Sequence, residues 1–181
     1  MNIRVFKEKF EKASDKYDVE KVDKVTSMSI DGQGSINLVI SMEEISELLY
    51  AYLNKKYDNY ELLEEIADVT ICLEWIIKIT KVDREELNKS IIKQYEYLIG
   101  AAGIINNERY ITKELCLMIK EISKYIRGKS EKINIDILAS CNVIISYIRI
   151  LNKITESETI KALNVKLDKI YNHETEKNRK G

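Results

Sequence analysis

The sequence predicts an all-α protein that folds as a helical bundle. Proline is absent from all 181 residues, and glycine occurs only six times. Because proline breaks helix interiors and glycine weakens them, their scarcity leaves long helices uninterrupted. The chain is also rich in Leu, Ile, Glu and Lys, and its apolar residues recur three or four positions apart, as they do along one face of a helix. A chain of this length can form one domain with a core, or two small helical halves that share one.

The helical pattern places four segments before residue 100. A helix is predicted from about Val5 to Tyr17, and the glycines and Asp31 that follow indicate a loop. Residues 1–34 are therefore assigned to an N-terminal helix and loop. Three further helices are predicted at about 35–55, 60–80 and 83–98. Ser35 and Asp83 are the expected N-caps of the first and third, because their side-chain oxygens can accept hydrogen bonds from free helix N–H groups.

The second part of the chain repeats this pattern. Residues 100–110 are predicted to be a linker. Three helices are then predicted at about 111–127, 133–153 and 156–172. Residues 173–181 are predicted to be a polar, frayed tail, because they contain too few apolar side chains to offset the entropy of ordering. Three helices thus lie on each side of the linker, in residues 35–99 and 111–172, which suggests a tandem duplication.

Charge and hydropathy exclude several classes of partner. Twenty-nine basic and thirty acidic side chains give a net charge of −1. The protein therefore has no overall field to attract nucleic acid or an anionic membrane. Charged or polar residues interrupt every apolar run, and the N-terminus lacks the apolar run of a signal peptide. We expect a cytoplasmic protein with no nucleic-acid or membrane partner.

Cysteine and histidine usage gives no support to a zinc site or a disulfide framework. The chain has three cysteines, no Cys-x-x-Cys pair and one histidine, His173. Each cysteine lies in an apolar helical stretch, so Cys72, Cys116 and Cys141 are all expected to be small core residues.

Two pairs of carboxylates form the main candidate site. Glu44 and Glu47 lie three residues apart, so both are on one face of their helix, and Glu65 and Asp68 repeat this spacing on the next helix. A short connection makes the two helices antiparallel neighbours, so the acidic pairs can face each other. Four carboxylates on facing helix stripes would either keep protons or hold cations. Oxygen-only ligands favour Mg²⁺, with Mn²⁺ as an alternative.

A second interpretation of these acids is structural. On this view they form salt bridges at the rim of the bundle with Lys55, Lys56 or Lys78. The spacing by itself leaves both interpretations open. An alignment of the two halves favours the metal site, because the positions that match Glu47, Glu65 and Asp68 are occupied by non-acidic residues in the second half. The matched residues are Lys124, Ile137 and Ser140, and Glu121 matches Glu44.

Two segments resemble the motifs of a known family. The run from Ile36 to Leu48 resembles the first motif of the MazG-like all-α nucleotide pyrophosphohydrolases, and the run from Glu64 to Glu74 resembles the second. The family pattern is Glu-x-x-Glu, a variable spacer and Glu-x-x-Asp; here seventeen residues separate Glu47 from Glu65. Dimeric dUTPases and phosphoribosyl-ATP pyrophosphatases are related to this family. The match covers about residues 36–96, roughly a third of the chain.

The resemblance implies an enzyme with a Mg²⁺ site made by the four carboxylates. Such enzymes cleave a nucleoside triphosphate to the monophosphate and pyrophosphate. Glu47 would position or deprotonate the attacking water. Lys93, and less closely Lys89, resembles a basic position that contacts phosphate, although an interpretation of both as ordinary exposed lysines is at least as good. Asn37 could contact the base or sugar.

The family usually builds its site from two subunits. The degenerate second half of this chain is expected to supply the partner hairpin, which would make a pseudo-dimer; a homodimer is the alternative. Two other functions stay open: a nucleotide-binding or regulatory protein of the same fold with little or no turnover, and a structural helical interaction module.

Overall fold

The computed structural model describes residues 34–54, 58–101 and 107–180. Within these ranges the chain forms six α-helices and no strand, which confirms the predicted all-α class. In chain order they are α1 (Gly34–Leu53), α2 (Asn59–Ile79), α3 (Arg84–Gly100), α4 (Asn107–Ile126), α5 (Ile135–Leu151) and α6 (Glu156–Lys180). The helix predicted at residues 5–17 lies outside the described residues.

The helix starts follow local capping chemistry. Asp58 caps α2 in a capping box, in which its carboxylate accepts hydrogen bonds from the N–H groups of Tyr60 and Glu61, and Glu61 accepts one from the Asp58 N–H. Asp83 caps α3 by accepting from the Glu86 N–H, as predicted. The prediction that Ser35 caps α1 is wrong, because α1 already includes Gly34 and Ser35 lies inside the helix.

Several boundaries differ from those predicted. Helix α4 begins at Asn107, inside the range predicted as a linker, and α6 continues to Lys180, through the range predicted as a frayed tail. No proline or glycine occurs between Gly128 and Gly181 to end the last helix. The polar composition of a segment is therefore a weak sign of its end, because exposed helical turns are polar as well.

The turns after α2 and α5 are built alike. Lys81 and Lys153 both have positive φ angles, 53° and 57°. In each turn the N–H of the next residue donates to a carbonyl five residues back: Val82 to Ile77 at 3.1 Å, and Ile154 to Arg149 at 2.9 Å. This is the Schellman arrangement, with lysine where glycine is usual. The turn redirects the chain, so that α3 turns away from α2 and α6 turns away from α5.

The helix packing exchanges the third helices between the halves. Helix α1 packs on α2 and α4, and α4 packs on α5. Helix α3 packs on α5, in the second half, whereas α6 packs on α2, in the first half. Each half therefore packs its third helix on the second helix of the other half. Because the halves share these contacts, the described helices form one bundle rather than two separate units.

One large core joins helices α1 to α5. It includes fully buried side chains from both halves, among them Ile45, Leu48, Ile66, Leu115 and Ile144. A smaller cluster joins α2 to α6 and contains Ile71, Cys72, Trp75, Leu163 and Leu167. Because this second cluster packs α6 against α2, it determines which side chains of α6 reach the acidic residues of α2.

The cysteines only partly follow their predicted role. Cys72 and Cys141 are buried in these cores, as expected. Cys116 is exposed, so its assignment to the core is wrong. Its neighbours Leu115 and Met118 carry the buried stripe of α4 and leave Cys116 on the outer face of the helix.

Candidate metal centre

The acidic residues lie along the edge of the α1–α2 interface. Ile45 and Leu48 are completely buried on α1, and Ile66 and Val69 are completely buried on α2. Glu44 and Glu65 sit beside these positions and are half-buried, whereas Glu47 is exposed. The apolar stripes therefore determine how the two helices face each other, and the carboxylates are carried to the same edge.

Three of the four predicted ligands converge. One carboxylate oxygen from each of Glu44, Glu47 and Glu65 lies within 4.8 Å of the others. We call this grouping, in which the two helices bring three Glu residues together, the acidic triad. The fourth predicted ligand, Asp68, is outside this group.

Burial and mutual repulsion both disfavour the charged forms of the acidic residues. The pKa of Glu44 is raised to about 7, first by burial and then by the charges of Asp68, Glu47 and Glu65. Burial, with the charges of Glu47 and Asp68, also raises the pKa of Glu65. A bound cation would relieve both effects, because it would replace repulsion between carboxylates with attraction.

Asp68 already has a cationic partner. The Nζ of Lys166, on α6, donates a hydrogen bond to Asp68 Oδ2 at 2.6 Å. Burial raises the pKa of Asp68 in spite of this contact. Burial alone would lower the pKa of Lys166, but the hydrogen bond and the negative charge of Asp68 outweigh it and the pKa is raised. Lys166 and Asp68 are separated by 98 residues in the sequence, so only the folded chain brings them together.

The donor set of the acidic triad suits a hard divalent cation. Its ligands are all carboxylate oxygens, which Mg²⁺ and Mn²⁺ prefer. Glu65 Oε2 is also buried with no hydrogen-bond partner among the described residues. A buried carboxylate oxygen normally has a partner, and a metal ion would supply one. The residues present could therefore hold a hard divalent cation.

Polar groups continue the site along α1 toward its start. Asn37, Ser41 and Glu44 lie three or four residues apart and so share a face of the helix. Asn37 and Ser41 are buried, and the Ser41 hydroxyl donates to the Asn37 carbonyl oxygen at 2.8 Å. Burial raises the pKa of the neighbouring Cys72 thiol to about 12 in spite of a hydrogen bond with Ser41, so the thiol stays protonated. The role of Asn37 in binding a base or sugar stays a prediction.

Lys89 and Lys93 line a different groove. This groove has a volume of about 490 Å³ and lies between α3 and the start of α5. Lys89 forms an ion pair with Glu85 on its own helix, at 2.6 Å. Because α3 packs on α5, the structure does not group these lysines with the acidic triad. Their predicted contact with phosphate remains a prediction, and the lysine that does reach the cluster is Lys166.

Sequence reasoning missed Lys166 because nothing in a local pattern says which helix packs on α2. The alignment of the halves pairs α6 with α3, and this pairing is the one sequence observation that could have pointed to α6 as a source of site residues. Once the third helices are exchanged between halves, the lysines of α6 are the ones expected beside Asp68.

The second half also contains buried carboxylates, one of which, Glu121, aligns with Glu44 in the sequence. Glu114 is buried and accepts hydrogen bonds from the Ser140 hydroxyl at 2.8 Å and from Lys113 at 3.1 Å. Glu121, also buried, accepts from Lys124 at 3.0 Å and from the Asn134 N–H at 3.3 Å. Both carboxylates therefore have local partners.

Comparisons with protein-family models, curated proteins and solved structures give no match to this chain. In the part of the chain that the structure describes, no single helix is both long and apolar enough to cross a membrane. The pair Ile135–Leu151 and Glu156–Ile170 meets the length and composition only when taken together, across a 120° bend.

Proposed function

We propose that this protein is a Mg²⁺-dependent nucleoside triphosphate pyrophosphohydrolase that releases a nucleoside monophosphate and pyrophosphate. The observation that carries the proposal is the convergence of Glu44, Glu47 and Glu65 within 4.8 Å. The Glu65 oxygen that has no hydrogen-bond partner among the described residues and the raised pKa of Glu44 support it, since burial and repulsion outweigh the one nearby lysine charge at these carboxylates. The resemblance of the two helical segments to MazG-like motifs supplies the reaction.

Each residue of the site has a separate task in this proposal. When bound, Mg²⁺ or Mn²⁺ would neutralise and orient the triphosphate. Glu44, Glu65 and Asp68 would hold the metal. Glu47, the exposed member of the triad, would accept the proton of the attacking water as the bond to the leaving pyrophosphate breaks.

We also propose that the chain is a degenerate tandem duplication, so that one chain supplies both halves of a site that the family builds from two subunits. Three features support this: the exchanged packing of α3 and α6, the two Schellman turns, and the positive φ of lysine at the same place in each. Lysine is an uncommon residue for that backbone conformation, so its occurrence at both turns favours a common origin. A homodimer is the alternative route to a complete site.

The decisive experiment is release of monophosphate and pyrophosphate from a panel of ordinary, deoxy and modified nucleoside triphosphates with Mg²⁺. Glu47→Gln should lower the turnover by about 100-fold or more, because it removes the general base with little change in shape. Glu43→Gln is the matched control, as Glu43 is an exposed glutamate of the same helix outside the triad. Equal loss in both variants, or turnover without divalent metal, would contradict the assignment.

The Lys166–Asp68 ion pair favours a second candidate, a nucleotide-binding or regulatory protein with little turnover, because one predicted metal ligand is already occupied by a cation. Thermal unfolding with added Mn²⁺ distinguishes the candidates. Stabilisation by Mn²⁺ without turnover of any nucleotide would favour the regulatory protein. No stabilisation and no turnover would favour a structural helical module.

A further inference from the structure

The second half of the chain contributes a cation to the acidic site of the first half. Helix α6 packs on α2, and Leu163 and Leu167 fix it there by packing against Trp75 and Cys72. This places Lys166 beside Asp68, with the two side chains 24% and 20% exposed. Both are therefore substantially withdrawn from solvent, where a charge-assisted hydrogen bond is stronger than at the open surface.

Asp68 is the predicted ligand that the ion pair engages. Asp68 is the one predicted ligand missing from the converging group, and its Oδ2 is the oxygen that Lys166 contacts. Lys166 also interacts electrostatically with Glu44, so it partly compensates the charge of the cluster. In this state Lys166 is a resident counter-ion of the acidic site.

We propose that Lys166 binds a phosphate group of the substrate, and that it is held on Asp68 until a divalent metal ion takes this carboxylate. The inference rests on the proposed function and adds to it a residue from the opposite half. An ammonium group and a divalent cation on one carboxylate repel each other strongly over so short a distance. Metal binding therefore releases the ammonium group at the edge of the site, where lysine is a suitable point charge for phosphate.

Two consequences of opposite sign follow for Lys166→Met, which keeps an unbranched side chain and removes the charge. The variant should bind Mn²⁺ about tenfold more tightly in the absence of nucleotide, because Asp68 no longer has a competing cation. The Mn²⁺-loaded variant should bind inorganic pyrophosphate about tenfold more weakly, because the phosphate ligand is missing. A lysine with a purely structural role would produce neither shift in this combination.

The experiment is a calorimetric titration of the full chain at pH 8, first with Mn²⁺ alone and then with inorganic pyrophosphate at saturating Mn²⁺. Lys169→Met is the matched control, since Lys169 is an exposed lysine on the same helix whose charge also acts on Asp68. Lys166→Arg should behave much like the wild type, because it keeps the cation. Circular dichroism checks that each variant retains its helix content.

Tighter Mn²⁺ binding with weaker pyrophosphate binding in Lys166→Met only would support the inference. Unchanged or weaker Mn²⁺ binding in this variant, or the same shifts in Lys169→Met, would overturn it while leaving the metal centre intact. A wild-type protein that fails to bind Mn²⁺ would overturn the metal centre and this inference together, and the first titration alone would reveal that outcome.

Discussion

The acidic triad in the first half and the buried carboxylates of the second half differ in how their charge is compensated. In the first half, Glu44, Glu47 and Glu65 converge, and one oxygen of Glu65 is buried with no hydrogen-bond partner in the part of the chain that the structure describes. In the second half, Glu114 and Glu121 are buried, and each accepts hydrogen bonds from neighbours within that half.

The difference shows what distinguishes a binding site from a structural polar network. A buried carboxylate costs several kcal/mol unless hydrogen bonds or cations compensate it. In the alignment of the two halves, Ser140 and Lys124 stand where the first half has acidic residues. Ser140 donates to Glu114, which aligns with Asn37, and Lys124 donates to Glu121. The buried carboxylates of the second half are therefore compensated by neighbours within that half. The clustered carboxylates of the first half repel one another, and a bound cation would compensate their charge.

The largest expected effect tests whether the two regions belong to one folding unit. Leu38→Ala and Leu115→Ala remove matching core side chains, 2% and 0% exposed, from the same cluster. Each should lower the free energy of unfolding by about 2–5 kcal/mol, in a single transition in urea followed by circular dichroism. Ile36→Ala, at a position 56% exposed, is the control and should change stability by less than about 0.5 kcal/mol. Two separate transitions would mean that the halves unfold independently.

A smaller effect, of opposite sign in the two halves, tests the comparison directly. Without divalent ions, Glu65→Gln should raise the melting temperature by about 2–4 °C. It removes a charge that burial, and then repulsion from Glu47 and Asp68, disfavour by a net amount on the order of 1 kcal/mol. Glu114→Gln should lower the stability by about 1–2 kcal/mol, because it weakens the bonds from Ser140 and Lys113. Thermal unfolding in a metal chelator measures both. Changes of the same sign in the two variants would refute the contrast.

The third expected effect is a dependence of stability on pH. Between pH 4.5 and about 7, folded protein without metal keeps a proton on Glu44 that the unfolded chain has released. The unfolded state then binds fewer protons, so this contribution to stability is present below pH 4.5 and is lost as the pH rises through 7. The melting temperature of the metal-free wild type should therefore fall more steeply over this range than that of Glu44→Gln, with Glu43→Gln as the control. Parallel pH profiles for wild type and Glu44→Gln would show that Glu44 is not responsible.

Local patterns predicted the elements and the core of the candidate site. Helix periodicity and the absence of proline gave the six described helices, and Asp83 identified the start of α3. The three-residue spacing of Glu44 and Glu47 placed both on one helix face, and a short connection made α2 the neighbour of α1. These inferences succeeded because they depend on interactions only a few residues apart, or on helices joined directly to each other.

The same reasoning failed where a residue type was interpreted without its place in the fold. Ser35 is a good capping residue, yet α1 starts before it. Cys116 has apolar neighbours, yet it lies on the outer face of α4. In both cases the sequence offered a suitable residue, and the exact start of the helix or the direction of its buried stripe determined the outcome.

The sequence by itself determined the class of the fold, the pairing of α1 with α2 and the meeting of their glutamates, because helix geometry and a short connection constrain all three. Only the tertiary structure decided that α3 and α6 exchange partners between the halves. That exchange placed Lys89 and Lys93 in a groove beside α5 and brought Lys166 to Asp68 across 98 residues. The choice depends on which apolar faces bury each other best over the whole bundle, as when Leu163 and Leu167 pack on Trp75, and such a choice is a property of all the helices together.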